Sequence, residues 1–193
     1  MTTQSPNYKT WTKEQYHISM DPALIPAQTL SVWFASDEVY WAKPMPEEAM
    51  RATLQNSLCF GLYHNTSPPN LEFIGIARCI TDSTTFIYLT DVFILPSYQG
   101  SGLGKWLISC VQEVIESMPY LRRSLLFTGD WKRSVPFYER MMGVDVVECR
   151  PPVNGTEGVG LAVMMRKFGG HPDFVDDSKS QSQGELYCIG PDL

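Results

Sequence analysis

Apolar positions along the chain change their spacing several times, and each change predicts a different element. A run rich in β-branched and aromatic residues over 85–95 ends at Pro96, as a buried strand does. Beyond residue 102, apolar side chains recur every three or four residues as far as Met118 and Pro119, which is the spacing of one helix face. That face comprises Leu103, Trp106, Leu107, Cys110, Val111, Val114 and Ile115. Glycines stand at 100, 102 and 104 between the two patterns. The sequence therefore predicts a strand, a glycine-rich loop and a helix.

The same two spacings predict the other elements and the domain organisation. Helical patterns run from Asp21 to Phe34, over 47–58 and over about 131–142, and Asp21 is a suitable N-cap. Strands are predicted at 16–20, 59–63, 73–79, 124–128, 144–149 and 160–166. The order β-α-α-β-β-β-α-β-α-β-β indicates an α/β fold with a mixed sheet. We expect a loose segment at 1–14, a single domain at 15–167, and a polar, flexible tail at 168–193.

Composition and charge exclude several classes of protein. A hydrophobic content of 44% in 193 residues is typical of a globular domain, and no apolar stretch approaches the roughly 20 residues of a membrane span. The N-terminus lacks the apolar core of a signal peptide, so we expect a cytoplasmic protein without a membrane partner. The five cysteines are scattered and form no Cys-x-x-Cys pair, which favours reduced thiols. A net charge of −6 without a dense basic cluster argues against a nucleic-acid partner.

The glycine-rich loop has the chemistry of a phosphate-binding site. A helix that begins directly after a loop presents unpaired backbone N–H groups and the positive end of its dipole, and both favour a phosphate or pyrophosphate. The spacing excludes a P-loop, because Gln99 stands where the first glycine of that motif is required and Trp106 follows Lys105. It also fits a dinucleotide fingerprint poorly, since Lys105 stands where glycine is needed.

A different pattern, Gln/Arg-x-x-Gly-x-Gly/Ala, fits residues 99–104. Together with the flanking run 91–96 and the downstream segment 136–140, Pro-Phe-Tyr-Glu-Arg, it resembles the GNAT superfamily of N-acetyltransferases, of the type that acts on small molecules. The resemblance covers roughly 15–167 and implies the acetyltransferase fold. It also implies transfer of an acetyl group from acetyl-CoA to a primary amine by direct attack in a ternary complex, without a metal.

The resemblance further implies which residues meet acetyl-CoA. Backbone N–H groups on the strand would receive the pantetheine and the thioester oxygen, and those of the loop would hold the pyrophosphate. Trp131 stands where relatives often carry an asparagine that touches the cofactor, and Ser134 would lie near the pantetheine. The complete expected set is Val92, Phe93, Ile94, Gln99, Gly100, Ser101, Gly102, Leu103, Gly104, Lys105, Trp131 and Ser134.

The resemblance gives the general acid but leaves the base open. Tyr138 matches the tyrosine that in many family members protonates the thiolate, and a phenol pKa of about 10 suits an acid at neutral pH; the alternative is a core aromatic residue. Asp91 is either the base or a carboxylate that caps a neighbouring backbone group, because a carboxylate on an apolar strand needs a partner. Some relatives carry their carboxylate one residue earlier, where this chain has Thr90. Asp37 and Glu38, with Tyr40 or a water chain, are further candidates.

The acceptor and the assembly are the least legible features of the sequence. By the family layout, Tyr40 and Trp41 would line the acceptor site and could hold a cationic or planar amine. We therefore expect a small-molecule amine as substrate, and a homodimer is one assembly open to the chain. Two other functions stay open: a catalytically silent protein that senses acyl-CoA, and a transferase of a longer acyl group.

Overall fold

The computed structural model describes residues 8–67 and 70–146, and in this part the strands form one mixed sheet. Its six strands lie in the order β1-β2-β3-β4-β5-β6, and every neighbouring pair is antiparallel except β5 and β6, which are parallel. The strands are β1 (Thr10–Lys13), β2 (Tyr16–Ser19), β3 (Leu58–Ser67), β4 (Asn70–Thr81), β5 (Phe86–Ile94) and β6 (Arg123–Leu126). The helices are α1 (Ala27–Phe34), α2 (Glu47–Gln55), α3 (Leu103–Glu116) and α4 (Ser134–Met142). The predicted α/β fold with a mixed sheet is confirmed.

Helices cover both faces of this sheet, which explains the apolar runs of its central strands. Successive strand residues point to opposite faces, so Phe60 and Leu62 pack under α3 while Cys59 and Tyr63 pack under α1 and α2. Each side forms its own hydrophobic cluster. None of the helices in the described ranges combines the length and the apolar composition that a membrane crossing requires.

The structure differs from the predicted elements at the N-terminus. Within the segment predicted to be loose, β1 pairs with β2, and its outer side is tied to α3: Trp11 Nε1 donates to Glu113 Oε2 at 2.8 Å, and Lys9 forms an ion pair with the same carboxylate. Because β1 is mostly exposed, its sequence carries little of the apolar alternation that predicts a strand. The strand is held by its partners and not by its own pattern.

Other boundaries shift by a few residues. Asp21 caps a short 3₁₀ turn at Pro22–Leu24, accepting a hydrogen bond from the Ala23 N–H at 2.9 Å, and α1 starts later, after Pro26. The β3 and β4 strands, at Leu58–Ser67 and Asn70–Thr81, extend well beyond the predicted strands 59–63 and 73–79. Only the first three residues of the predicted strand 144–149 are described, and they are not a strand. The predicted strand 160–166 and the tail 168–193 lie outside the described residues.

The central strand β5 has two different halves. Phe86 to Leu89 pair with β4 on one side and β6 on the other. Among the described residues, the segment from Thr90 to Ile94 pairs with β4 alone, because the β6 ladder ends at Leu126. In this second half the register against β4 shifts between Ile76 and Arg78, which forms a β-bulge. The sheet is therefore open at one edge of β5, directly before the glycine-rich loop.

Candidate active site

The glycine-rich loop turns the chain from β5 into α3. A 3₁₀ turn at Pro96–Tyr98 comes first, and the Gln99 side chain donates to the Ile94 carbonyl at 2.8 Å, which fastens the loop to the strand end. Gly100 and Gly102 have φ of +81° and +85°. Glycine adopts this left-handed conformation without the penalty that a Cβ imposes. A Cβ at either glycine would meet no atom within 4 Å, so the surface above the loop is open.

The loop presents a row of free backbone donors. The first turn of α3 begins with the Trp106 N–H donating to the Gly102 carbonyl at 3.1 Å. Within residues 8–67 and 70–146, none of the backbone N–H groups from Gly100 to Lys105 donates a hydrogen bond. Lys105, in the same turn, is exposed. Six free donors, a helix N-terminus and a lysine together match an anion with several oxygens, as in a pyrophosphate.

The open edge of β5 adds two further donors. Leu95 donates its N–H to the Ile74 carbonyl of β4 at 2.9 Å. Backbone N–H groups alternate between the two edges of a strand. Counted back from Leu95, this alternation predicts that the N–H groups of Ile94 and Val92 face the edge where β6 has ended, and that of Phe93 faces β4. Two of the three strand residues expected to bind the donor therefore present their N–H groups to the open edge. The Phe93 side chain is buried on the α1 face.

Asp91 stands at the bulge, and each of its carboxylate oxygens accepts one side-chain hydrogen bond. Its φ is +48° and the residue is 7% exposed. Arg78 Nε donates to Oδ2 at 2.7 Å, and Trp41 Nε1 donates to Oδ1 at 3.2 Å. Arg78 in turn donates from Nη1 to Ser57 Oγ at 2.9 Å. Of the predicted acceptor pair, Trp41 thus contacts the bulge directly, and Tyr40 is exposed with its ring edge-on to Trp41 at 5.2 Å between centroids.

Tyr138 lies on α4, which packs beside α3. Its ring is half-buried against the hydrophobic cluster under α3 and contacts Phe137 edge-on at 5.1 Å between centroids. Burial raises the pKa of the Tyr138 phenol to about 12. The phenol is thus protonated throughout the neutral range and can donate a proton but not accept one.

Two further residues predicted to contact the cofactor lie at the start of α4. Asp130 organises this start, because its carboxylate accepts the N–H groups of Lys132 and Arg133 at 3.2 and 2.9 Å. Ser134 is the first residue of the helix, and Trp131 is 67% exposed, so its indole is free to meet a ligand.

Comparisons with known proteins decide the family. The sequence model of the Acetyltransferase (GNAT) family matches residues 26–144, which include the loop, the bulge and Tyr138. A protein of Gibberella zeae named as a candidate acetyltransferase is 40% identical over 133 residues, 62% of this chain and 75% of that protein.

The chain belongs to the GNAT family of acetyltransferases.

Solved GNAT structures share the fold. A GNAT-family candidate acetyltransferase from Xanthomonas campestris is 28% identical, with a TM-score of 0.57 over 82% of this chain and 97% of that one. A candidate acetyltransferase from Deinococcus radiodurans is 18% identical, with a TM-score of 0.53 over 72% and 87%, and shows likeness of fold alone. The protein is therefore an acyltransferase, and GNAT enzymes generally take their acetyl group from acetyl-CoA.

The free backbone N–H groups of this GNAT chain fit acetyl-CoA. A pyrophosphate matches the N–H row of the loop, and an extended amide chain matches the strand edge that β6 leaves open. Across the described ranges, no group of three or more His, Cys, Asp or Glu side chains could hold a metal ion. The described thiols are poor nucleophiles, because burial raises the pKa of Cys59 and Cys79 to about 12 and that of Cys110 to about 11.

Sequence reasoning missed Arg78, the partner of Asp91. Its signal was present, since Arg78 is the one charged residue in the apolar run 73–79 and Asp91 is the one charged residue in 85–95. Two opposite charges on neighbouring apolar strands predict a buried pair. It also missed a cavity of about 570 Å³ on the α1 face, lined by Leu24, Pro26, Thr29, Trp33, Tyr63, Leu71, Glu72, Phe73 and Leu95.

Proposed function

We propose that this GNAT enzyme transfers an acetyl group from acetyl-CoA to the primary amine of a small molecule, by direct attack of the amine in a ternary complex. The observation that carries the proposal is the pair of backbone donor groups on either side of the 3₁₀ turn: the open edge of β5 at Val92 and Ile94, and the loop and first turn of α3 from Gly100 to Lys105. The proposal takes 15–167 as one catalytic domain working in the cytoplasm, as a monomer or a homodimer.

The donor-binding roles follow from the direction of each group. The N–H groups of Gly100 to Lys105 would hold the pyrophosphate, and the Lys105 ammonium would add charge attraction. The Ile94 N–H would bind the pantetheine, and the Val92 N–H would donate to the thioester oxygen as negative charge develops there. Trp131 and Ser134 would contact the donor from the start of α4. Acetyl-CoA, when bound, supplies an activated acetyl thioester.

Tyr138 would supply the proton that the departing thiolate needs. A buried phenol with a pKa near 12 is in its protonated form at every pH at which the enzyme would work. The attacking amine must be uncharged, so its ammonium proton passes to water before attack. After attack the nitrogen loses a second proton to water, the C–S bond breaks as the thiolate takes the Tyr138 proton, and Tyr138 regains a proton from water. Because Cys59, Cys79 and Cys110 are buried with raised pKa values, an acyl-enzyme on any of these three described cysteines is not favoured, which supports direct attack.

The acceptor would approach on the α1 and α2 face of the sheet. Tyr40 and Trp41 lie in the connection between these helices, and Trp41 contacts the bulge next to Val92. The cavity beside α1 continues the same face, and its wall residue Trp33 contacts Phe93 of β5 at 5.3 Å between ring centroids. The net charge of −6 favours a cationic amine over an anionic acceptor.

Two measurements test this proposal. The first is the melting temperature with and without acetyl-CoA, because a ligand that binds only the folded state must stabilise it; we expect a clear rise. The second is thiol release from acetyl-CoA across a panel of amines, with propionyl-CoA and malonyl-CoA as alternative donors. Absence of a thermal shift at saturating acetyl-CoA would overturn the donor site. A shift without turnover on any amine would favour a sensor, and faster turnover with another donor would identify a different acyl group.

A further inference from the structure

The Asp91 carboxylate is the centre of a buried polar network that joins four parts of the protein. Ser57, just after α2, accepts from Arg78 on β4, and its own hydroxyl donates to the Thr53 carbonyl within α2 at 2.7 Å. Arg78 donates to Asp91 on β5, and Trp41 reaches Asp91 from the connection between α1 and α2. The Arg78 side chain is 14% exposed and that of Asp91 7%. Buried groups that are satisfied in this way fix one arrangement of the elements that carry them.

The backbone of Asp91 is held in an unusual conformation. A φ of +48° in a strand is unfavourable for residues with a Cβ, although Asp and Asn tolerate it better than most. Such a conformation persists only where the surroundings determine it. Here Arg78 and Trp41 fix the Asp91 carboxylate by hydrogen bonds, and the fixed carboxylate holds the backbone of Asp91 in this conformation. The peptide that Asp91 begins contains the Val92 N–H, so the conformation of Asp91 sets the direction of this donor.

We infer that Asp91 is a positioning residue of the acetyl transfer and not its general base. Its anchored carboxylate holds the bulge so that the Val92 N–H faces the open edge of β5, and the Trp41 contact fastens the acceptor-side connection to the same point. The inference rests on the proposed function. In this arrangement, Arg78 and Trp41 hold β5, which would bind acetyl-CoA, in a fixed position relative to the connection between α1 and α2, which would line the acceptor site.

The geometry is unsuited to a base. A base must accept a proton and lose its charge, but the Asp91 carboxylate is the buried partner of a guanidinium at 2.7 Å. Neutralising the carboxylate would leave the Arg78 guanidinium buried without a partner, which is strongly unfavourable. A base requires a group that can become neutral at low cost, near a site that water can reach.

The decisive variants are Asp91→Asn and the double variant Asp91→Asn with Arg78→Gln. Asparagine tolerates positive φ and keeps an oxygen for Trp41, but it leaves Arg78 without its counter-charge. Misplacement of a reacting group by about 1 Å lowers turnover roughly 100-fold, and we expect a loss of about this size in the single variant. The double variant removes the uncompensated charge and should recover at least about fivefold, since contacting residues are not additive.

The pH profile of kcat/KM separates the two roles. It should be measured with two amines of different pKa, so that a limb belonging to the amine is told apart from one belonging to the enzyme. We expect any acidic limb of the enzyme to persist in Asp91→Asn. Loss of that limb, or a double variant no more active than Asp91→Asn, would overturn the inference and restore Asp91 as the base.

A spectroscopic readout keeps the test independent of turnover. The indole ¹⁵N–¹H resonance of Trp41, assigned with Trp41→Phe, should shift in Asp91→Ala, because the hydrogen bond to Oδ1 is lost; an unmoved resonance would contradict the network even if no amine were ever acetylated. Asp82→Asn is the matched control. Asp82 lies in the turn between β4 and β5, where its carboxylate accepts the N–H groups of Thr84, Thr85 and Phe86. That variant should lower stability but leave kcat and the Trp41 resonance unchanged.

Discussion

The two halves of β5 carry the same kind of sequence and do different work. Phe86 to Leu89 are paired on both sides, so their backbone groups are consumed by the sheet. From Thr90 onwards the strand pairs only with β4 in the part of the chain that the structure describes, and it has a bulge at Asp91. It leads into a loop where the N–H groups of Gly100 to Lys105 donate no hydrogen bond within that part. The two halves of β5 differ because the neighbouring strand β6 ends after four paired residues. An unpaired edge can thus arise in the middle of a sheet when one strand ends early, and we propose that this edge binds acetyl-CoA.

The sharpest test of this comparison is Gly102→Glu. This change adds a charged side chain among the free N–H groups of the loop and leaves the paired half of β5 unchanged. At φ +85° a side chain costs roughly 1–2 kcal/mol, and the new carboxylate would lie where we place the pyrophosphate. We expect the affinity for acetyl-CoA, measured by calorimetry, to fall at least about 100-fold, because the new carboxylate would repel the negatively charged pyrophosphate.

Gly143→Glu is the matched control for backbone strain. Gly143 has φ +61°, ends α4, and has open space at its Cβ position, like Gly102. The control should lose a similar amount of stability but bind acetyl-CoA normally. Equal affinities in the two variants would contradict the loop assignment.

Tyr138→Phe tests whether Tyr138 acts as the general acid for acetyl transfer at the open half of β5. Removing only the hydroxyl should lower kcat by roughly 10- to 1000-fold, the scale of a positioned acid, with little change in acetyl-CoA affinity. Because burial raises the pKa of Tyr138 to about 12, the wild type should show no basic limb from this group below pH 10. Tyr120→Phe, at a residue that is 73% exposed, is the control. An unaltered kcat in Tyr138→Phe would remove this residue from the mechanism.

How much of this site was legible in the sequence depends on how local each feature is. The loop and its flanking strand and helix follow from neighbouring residues, because glycine spacing and apolar periodicity act over a few positions. The Asp91–Arg78 pair depends on the register of β4 against β5 and on the bulge, which no short pattern states. The Trp41 contact joins residues 50 apart in the chain. The early end of β6, which opens the site, is likewise a property of the sheet and not of β5.

A smaller effect is expected from Lys105→Gln, since Lys105 is exposed and its charge is screened by water. The ammonium would add to, but not replace, the backbone donors of the loop. We expect the Kd for acetyl-CoA to rise roughly three- to tenfold, and the rise should shrink at high salt. Lys43→Gln, an exposed lysine in the connection before α2, should leave it unchanged. A rise that does not respond to salt would argue that Lys105 acts by shape and not by charge.

The smallest effect on transfer should come from the paired half itself, and a matched pair of core variants brings this out. Leu89 and Ile94 lie in the same hydrophobic cluster, one in each half of β5, and are 3% and 8% exposed. Each change to alanine should cost about 2–5 kcal/mol of unfolding free energy.

The two variants should differ in their effect on binding. Ile94 Cδ1 lies 3.7 Å from the position of a Cβ at Gly104, so Ile94→Ala should also loosen the loop and weaken acetyl-CoA binding several-fold. Leu89→Ala, measured well below its melting temperature, should keep kcat and the Kd for acetyl-CoA within about twofold of the wild type, because Leu89 lies in the half of β5 that is paired on both sides. If both variants impair binding equally, the two halves of β5 do not divide stability from function in this way.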